Sequence, residues 1–311
     1  MKKFAIVAFA CLMLCVPPAR ADITWNVTYQ DGNSDAGFGL GAGNPLGATR
    51  RSTFQAALDY ISSVLDTPND VTLDYEVRAS LTGGTGSLAS GGTSFFLVNG
   101  HTNGILYQHA QTGVDPSGGF DGFSQYDFGY NYNSENDAPA SNEFDLYTIA
   151  VHEITHSLGY LTLTSSTGAG VFAQNPNTYS VSDSFLERGD GTDLFSNGSF
   201  VGSAADLVSN DVFFNGANAM AANGGNPVKM YAPTTFASGS SLSHVDTTTF
   251  PDAISAHAIA PGVKKTEYIG VELGILQDLG WQLKSSAVPE PSSMVLLGLL
   301  GGSMMLRRRR R

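Results

Sequence analysis

The stretch "VHEITHSLGY", Val151 to Tyr160, constrains this chain more than any other. If it is helical, His152 and His156 lie one turn apart and their imidazoles project from the same face, with Glu153 beside the first of them. Two imidazoles so placed can grip one ion, and the adjacent carboxylate can hold a water without binding the ion itself. The flanking residues support a helix over 143–158. Asn142 is available as a cap, Glu143 and Asp145 suit its first turn, and Gly159 can end it. The fold must bury this helix while leaving one face open, and must bring a further ligand to it.

The surrounding pattern predicts a β-α-β start. "ITWNVTY" (Ile23 to Tyr29) and "VTLDYEVRA" (Val71 to Ala79) look like strands, the second by strict alternation of apolar and polar residues. Between them Phe54, Ala57, Leu58, Ile61, Val64 and Leu65 fall on one helical face. "SFFLV" (Ser94 to Val98) is a further short strand, and "DGNSDAG" from Asp31 is a turn, since no glutamate closes it as a calcium loop. Residues 160–240 are expected to be irregular, with "VSDSFLERGDGTDLF" the best-ordered piece. Thr266 to Leu279 closes the domain as a helix ended by Gly280. The predicted class is α+β: a mixed sheet, an active-site helix and a loop-rich C-terminal subdomain.

Both ends of the chain have the character of export signals. Lys2 and Lys3, the apolar run Phe4 to Val16 and Ala19-Arg20-Ala21 form a secretory signal peptide over 1–21, with a lipoprotein signal at Cys15 as the competing reading. Both cysteines, Cys11 and Cys15, fall inside it, so residues 22–286 carry no thiol. All acidic residues but Glu290 lie in that central domain, whereas half of the 16 basic ones lie in the two ends. Its net charge is therefore near −19, which disfavours nucleic acid and anionic membranes and suits a secreted protein or one that collects cations. The tail "AVPEPSSMVLLGLLGGSMMLRRRRR" joins Pro289-Glu290-Pro291, a short apolar stretch and five arginines. It resembles the PEP-CTERM sorting tail. The resemblance implies transient membrane contact, recognition by an exosortase-type enzyme, removal of residues 287–311 and release to the surface or exopolysaccharide matrix of a Gram-negative bacterium. A simple short anchor is the alternative.

The His-Glu-x-x-His spacing is that of zinc peptidases, in which zinc lowers the pKa of a water and the glutamate takes its proton during attack on a carbonyl. Such a site needs a third protein ligand. The extended motif His152-Glu153-x-x-His156-x-x-Gly159 opens like a metzincin, but Thr162 stands where that pattern has its third histidine, and a threonine hydroxyl is a poor zinc ligand. "GSSLSHVD", with His244, followed by "TTTFPDAISAHAIAPG" and the closing helix, resembles the leishmanolysin-like metzincins, whose third histidine follows an insertion. That resemblance implies a metzincin-like fold with His152, His156 and His244 as zinc ligands and Glu153 as general base. The family's methionine turn would fall near "DAISA", where Ile254 or Ser255 replaces the methionine. His257 and Asp183 compete as third ligand. His101 and His109 are expected at the surface or on a strand, and Asp190 and Asp193 in a solvated turn. Whether calcium is also needed stays open.

These features predict a secreted zinc metalloendopeptidase acting on protein or peptide substrates. The alternative is a non-catalytic, zinc-stabilised extracellular matrix or surface protein. A zinc hydrolase of polysaccharide or lipid is a third possibility.

Overall fold

Alternation along the first strands fixes the architecture around the motif helix. In the computed structural model, which describes residues 21–83 and 86–285, β1 (Ile23–Tyr29) and β2 (Val71–Ser80) run parallel, Ile23 opposite Val71 and Tyr29 opposite Val77. They are joined through α1 (Gly47–Val64), whose buried face carries Phe54, Ala57, Leu58, Ile61 and Val64. The expected signal segment up to residue 20 and the tail over 287–311 lie outside the described residues.

β3 (Ala89–Thr93) and β4 (Gly122–Asp127) complete a mixed four-stranded sheet of order β1-β2-β4-β3. β4 is parallel to β2, and β3 is an antiparallel edge strand. The expected strand at Ser94 to Val98 is displaced: pairing falls on the preceding "ASGGT", and Phe96, Leu97 and Val98 are exposed in a loop. Proximity to the motif helix explains the shift. A Cβ at Gly91 would lie 2.9 Å from the Glu153 Cβ and nearer still to its carbonyl oxygen, so glycine allows the edge strand to pass this close.

The motif helix, α3 (Leu146–Ser157), starts later than expected because Phe144 and Asp145 pair with Tyr132 and Asn133. Asp145, not Asn142, is its cap: Oδ1 accepts from the Thr148 N–H at 2.8 Å. Gly159, with φ of +95°, ends it, and the Trp281 indole donates to the Leu158 carbonyl at 2.9 Å. Ser157 Oγ donates to the Gly92 carbonyl and meets the Tyr75 hydroxyl, locking the helix onto β3 and β2. α1 and α3 pack on the sheet over Phe54, Tyr75 and Tyr126.

Residues 160–240 hold more structure than expected. Leu186–Arg188, Val212–Phe214 and Val228–Lys229 form a small antiparallel sheet. α4 (Ala217–Ala222) packs on α5 (Gly270–Asp278), which begins four residues later than predicted. Gln282–Leu283 then pairs with Leu65–Asp66, stitching the end of the domain to the end of α1. In the Asp31 turn, Arg50 and Arg51 donate to the carbonyls of Gly37, Phe38 and Gly32, so guanidinium groups hold the oxygens a cation would need. Among the described residues no helix is long and apolar enough to cross a membrane.

Candidate metal centre

α3 supplies His152 and His156, and a turn 88 residues later supplies His244. Hydrogen bonds from Tyr231 N–H to the His244 carbonyl, from Leu242 N–H to the Tyr231 carbonyl and from Val245 N–H to the Ser255 carbonyl hold that turn in place. Leu242 there adopts a left-handed φ of +66°, which costs about 1 kcal/mol that the surrounding bonds must offset. The three Nε2 atoms form a nearly equilateral triangle with sides of 3.0, 3.1 and 3.2 Å.

The other ring nitrogens decide what this triangle can be. His152 Nδ1 lies 2.7 Å from the Ile254 carbonyl, His156 Nδ1 2.8 Å from that of Tyr160, and His244 Nδ1 2.7 Å from that of Ser240. A carbonyl only accepts, so each Nδ1 must carry the proton and each Nε2 points a lone pair at the other two. Three lone pairs cannot bond one another. They fit a single cation, and a tetrahedral ion with ligand bonds of about 2.05 Å would set its nitrogens about 3.3 Å apart.

Burial reinforces the neutral state. It pulls His152 down to about 3, helped by His156, and it lowers His156. His244 falls well below its ordinary value, first through burial and then through the other two histidines. Glu153 is pushed the other way, up to about 8, by burial. Among the described residues it is the one carboxylate lining the cleft that opens over the histidines, a cavity of about 700 Å³ walled by β3, the residues following α3 and the segment 254–259. Among the described lining residues there is no lysine, arginine or aspartate.

The remaining sequence candidates lie elsewhere. Asp183 is fully buried and spends its oxygens on Thr162 Oγ1, the Leu163 N–H and both the N–H and hydroxyl of Ser180, so it orders the loop after α3. Thr162, at the position of the missing histidine, is thereby turned toward Asp183. His257 lines the cleft but stands outside the triangle, its ring stacked on Tyr231 and Nδ1 2.7 Å from Thr247 Oγ1. His101 is on a short strand, as expected. His109 is not: it is buried on α2 (Ile105–Thr112), with Nδ1 2.9 Å from both oxygens of Asp121. Asp190 accepts from the Thr192 N–H in an exposed turn, and Asp193 accepts from Asn215.

Glu272 carries a role that sequence reasoning missed. Buried at the start of α5, it accepts from the Ser255 N–H at 2.6 Å and the Ile269 N–H at 2.9 Å. The Ile254–Ser255 peptide therefore donates to Glu272 with one end and accepts from His152 with the other. No sequence signal marked it, because a helix read from Thr266 places Glu272 beyond the first turn, and only the later start at Gly270 makes it the third helical residue.

The comparisons with known proteins bear on the end of the chain. Residues 287–311 match the PEP-CTERM protein-sorting motif. The PEP-CTERM tail implies recognition by an exosortase-type sorting enzyme, with export and sorting to the extracellular surface in Gram-negative bacteria. No curated protein matches this chain.

Proposed function

We propose that this PEP-CTERM protein is a secreted zinc-dependent endopeptidase of metzincin-like architecture, released at the cell surface or into its matrix. The observation that carries the reading is the meeting of three Nε2 lone pairs beside the buried Glu153, at the floor of a cleft whose described lining residues include no lysine, arginine or aspartate. Three imidazoles from two elements, with no fourth protein ligand among the described residues, suit a catalytic zinc more than a structural one, which closes its shell with four. When bound, zinc would polarise the scissile carbonyl and make water a nucleophile near neutral pH.

The chain's own residues do the rest. His152, His156 and His244 would hold the ion, each oriented by a backbone carbonyl at its Nδ1. Glu153, which burial holds protonated in the metal-free protein, would be driven to its carboxylate form by a cation on the adjacent histidines and would then take a proton from the attacking water. The water oxygen bonds to the carbonyl carbon, the carbon–nitrogen bond breaks, and Glu153 returns the proton to the leaving amine; the second proton of the water also passes to the amine, so that one water is consumed and a carboxylate and an ammonium form. The free edge of β3 offers backbone groups to an extended peptide lying along the cleft.

The test is metal analysis together with digestion of a denatured-protein library. The expected result is one zinc per chain, cleavage abolished by chelation and restored by zinc, and a Glu153→Gln variant that keeps zinc and loses cleavage. Stoichiometric zinc with no cleavage of any protein would overturn the proposal and favour a zinc-stabilised surface protein.

A further inference from the structure

A fourth imidazole faces the same cleft without joining the triangle. His257 is half-buried, with one ring face covered by Tyr231 at a centroid distance of 3.5 Å and an interplanar angle of 7°. Nδ1 is held by Thr247, and Nε2 makes no hydrogen bond to the described residues. The ring has little freedom, because Tyr231 is itself bonded through its N–H to the His244 carbonyl, and Val245 and Ala256 pair in parallel next to it. One rigid unit thus positions both a metal-binding histidine and this free one.

The other cleft side chains with comparable reach are committed. The Tyr130 hydroxyl donates to the Gly86 carbonyl, Thr93 to the Asp121 carbonyl and Thr162 to Asp183. Thr148 is shared between Asp145 and the Lys265 carbonyl. The rim serines remain, but their hydroxyls rotate, whereas a fixed donor requires no reorganisation when charge develops.

We propose that His257 is a second catalytic residue, donating a hydrogen bond from Nε2 to the substrate carbonyl oxygen as that oxygen gains negative charge. In the tautomer this role requires, the Thr247 hydroxyl donates to Nδ1 and the neutral ring carries its proton on Nε2. No covalent bond forms or breaks at His257, and its proton stays in place. The assignment rests on the endopeptidase reading.

The test uses the zinc-loaded protein and a phosphinic peptide, whose tetrahedral oxygens imitate the adduct, beside the matching amide peptide, which resembles the ground state. Calorimetry on wild type and His257→Phe, a change that keeps the stack on Tyr231, should show the phosphinic peptide bound about 100-fold more weakly by the variant. The amide peptide should bind equally to both, zinc content should be unchanged, and His257→Gln, which can still donate, should recover part of the loss. Phosphinic binding within twofold of wild type overturns the inference and leaves the endopeptidase reading standing. Loss of zinc from His257→Phe overturns it in favour of a supporting role at the metal. A zinc-loaded wild type that ignores the phosphinic peptide overturns both.

Discussion

Replacing Glu153 by glutamine should stabilise the metal-free protein even as it removes the proposed base. The Glu153 carboxyl has an ordinary pKa of 4.5 and is pushed to about 8 in the fold by burial. A folded pKa above the unfolded one means that the folded state keeps its proton more tightly. The associated stability is full below pH 4.5 and is lost as pH rises through about 8. Glutamine, uncharged at every pH, escapes that loss. At about 1.4 kcal/mol per pH step, the variant should exceed wild type by about 1 kcal/mol at pH 5, about 3 kcal/mol at pH 7 and up to about 5 kcal/mol above pH 8. Urea unfolding of chelator-treated protein at pH 5, 7 and 8.5 measures this directly. A difference that does not grow with pH, or a wild type that is the more stable at pH 8.5, would refute the claim that burial holds this carboxyl protonated.

Asp183→Ala should lower stability by about 3 kcal/mol or more, since four donors lose their acceptor, yet leave zinc stoichiometry intact; loss of zinc would make Asp183 a ligand after all. Gly91→Ala should lower stability by about 2 kcal/mol, because the added methyl overlaps α3 at Glu153, and a thermal melt unchanged from wild type would show that the strand can retreat. Glu272→Gln should weaken zinc binding by about 10-fold to 100-fold without touching a ligand, as the peptide that orients His152 loses its anchor, and competition with a fluorescent chelator would read it.

How much of this was legible in the chain varied with the physics behind each element. β1 and the face of α1 up to Val64 follow from apolar periodicity; Leu65, expected on that face, is extended and paired with Leu283 instead, and β2 extends one residue beyond its predicted end at Ala79. The edge strand was hidden because "ASGGT" has no alternating apolar side chains; its glycines answer to the approach of α3, and that approach is a tertiary fact. The start of α3 was misplaced because Phe144 and Asp145 are drawn into a strand pair with residues whose partnership no local pattern announces. Within the site, the pair on one helical turn was plain from spacing, whereas His244 was reached only through resemblance to a family. The rival placements of Asp183 and His257 could be separated only by their partners. The carbonyls of Ile254, Tyr160 and Ser240 that orient the imidazoles leave no trace in residue identity, since any amino acid supplies one.

The separation of 88 residues between His156 and His244 has a consequence for folding. An ion shared by these residues would close a long loop in a domain whose described residues include no cysteine. By the chain-entropy relation used for disulfides, a cross-link across such a loop is worth roughly 4–5 kcal/mol against the unfolded chain. The metal would then act as a reversible covalent-like staple, set by the zinc available outside the cell and needing no oxidising compartment. A molecule crossing the envelope without its ion would remain the looser, more easily unfolded form, and would tighten only on arrival.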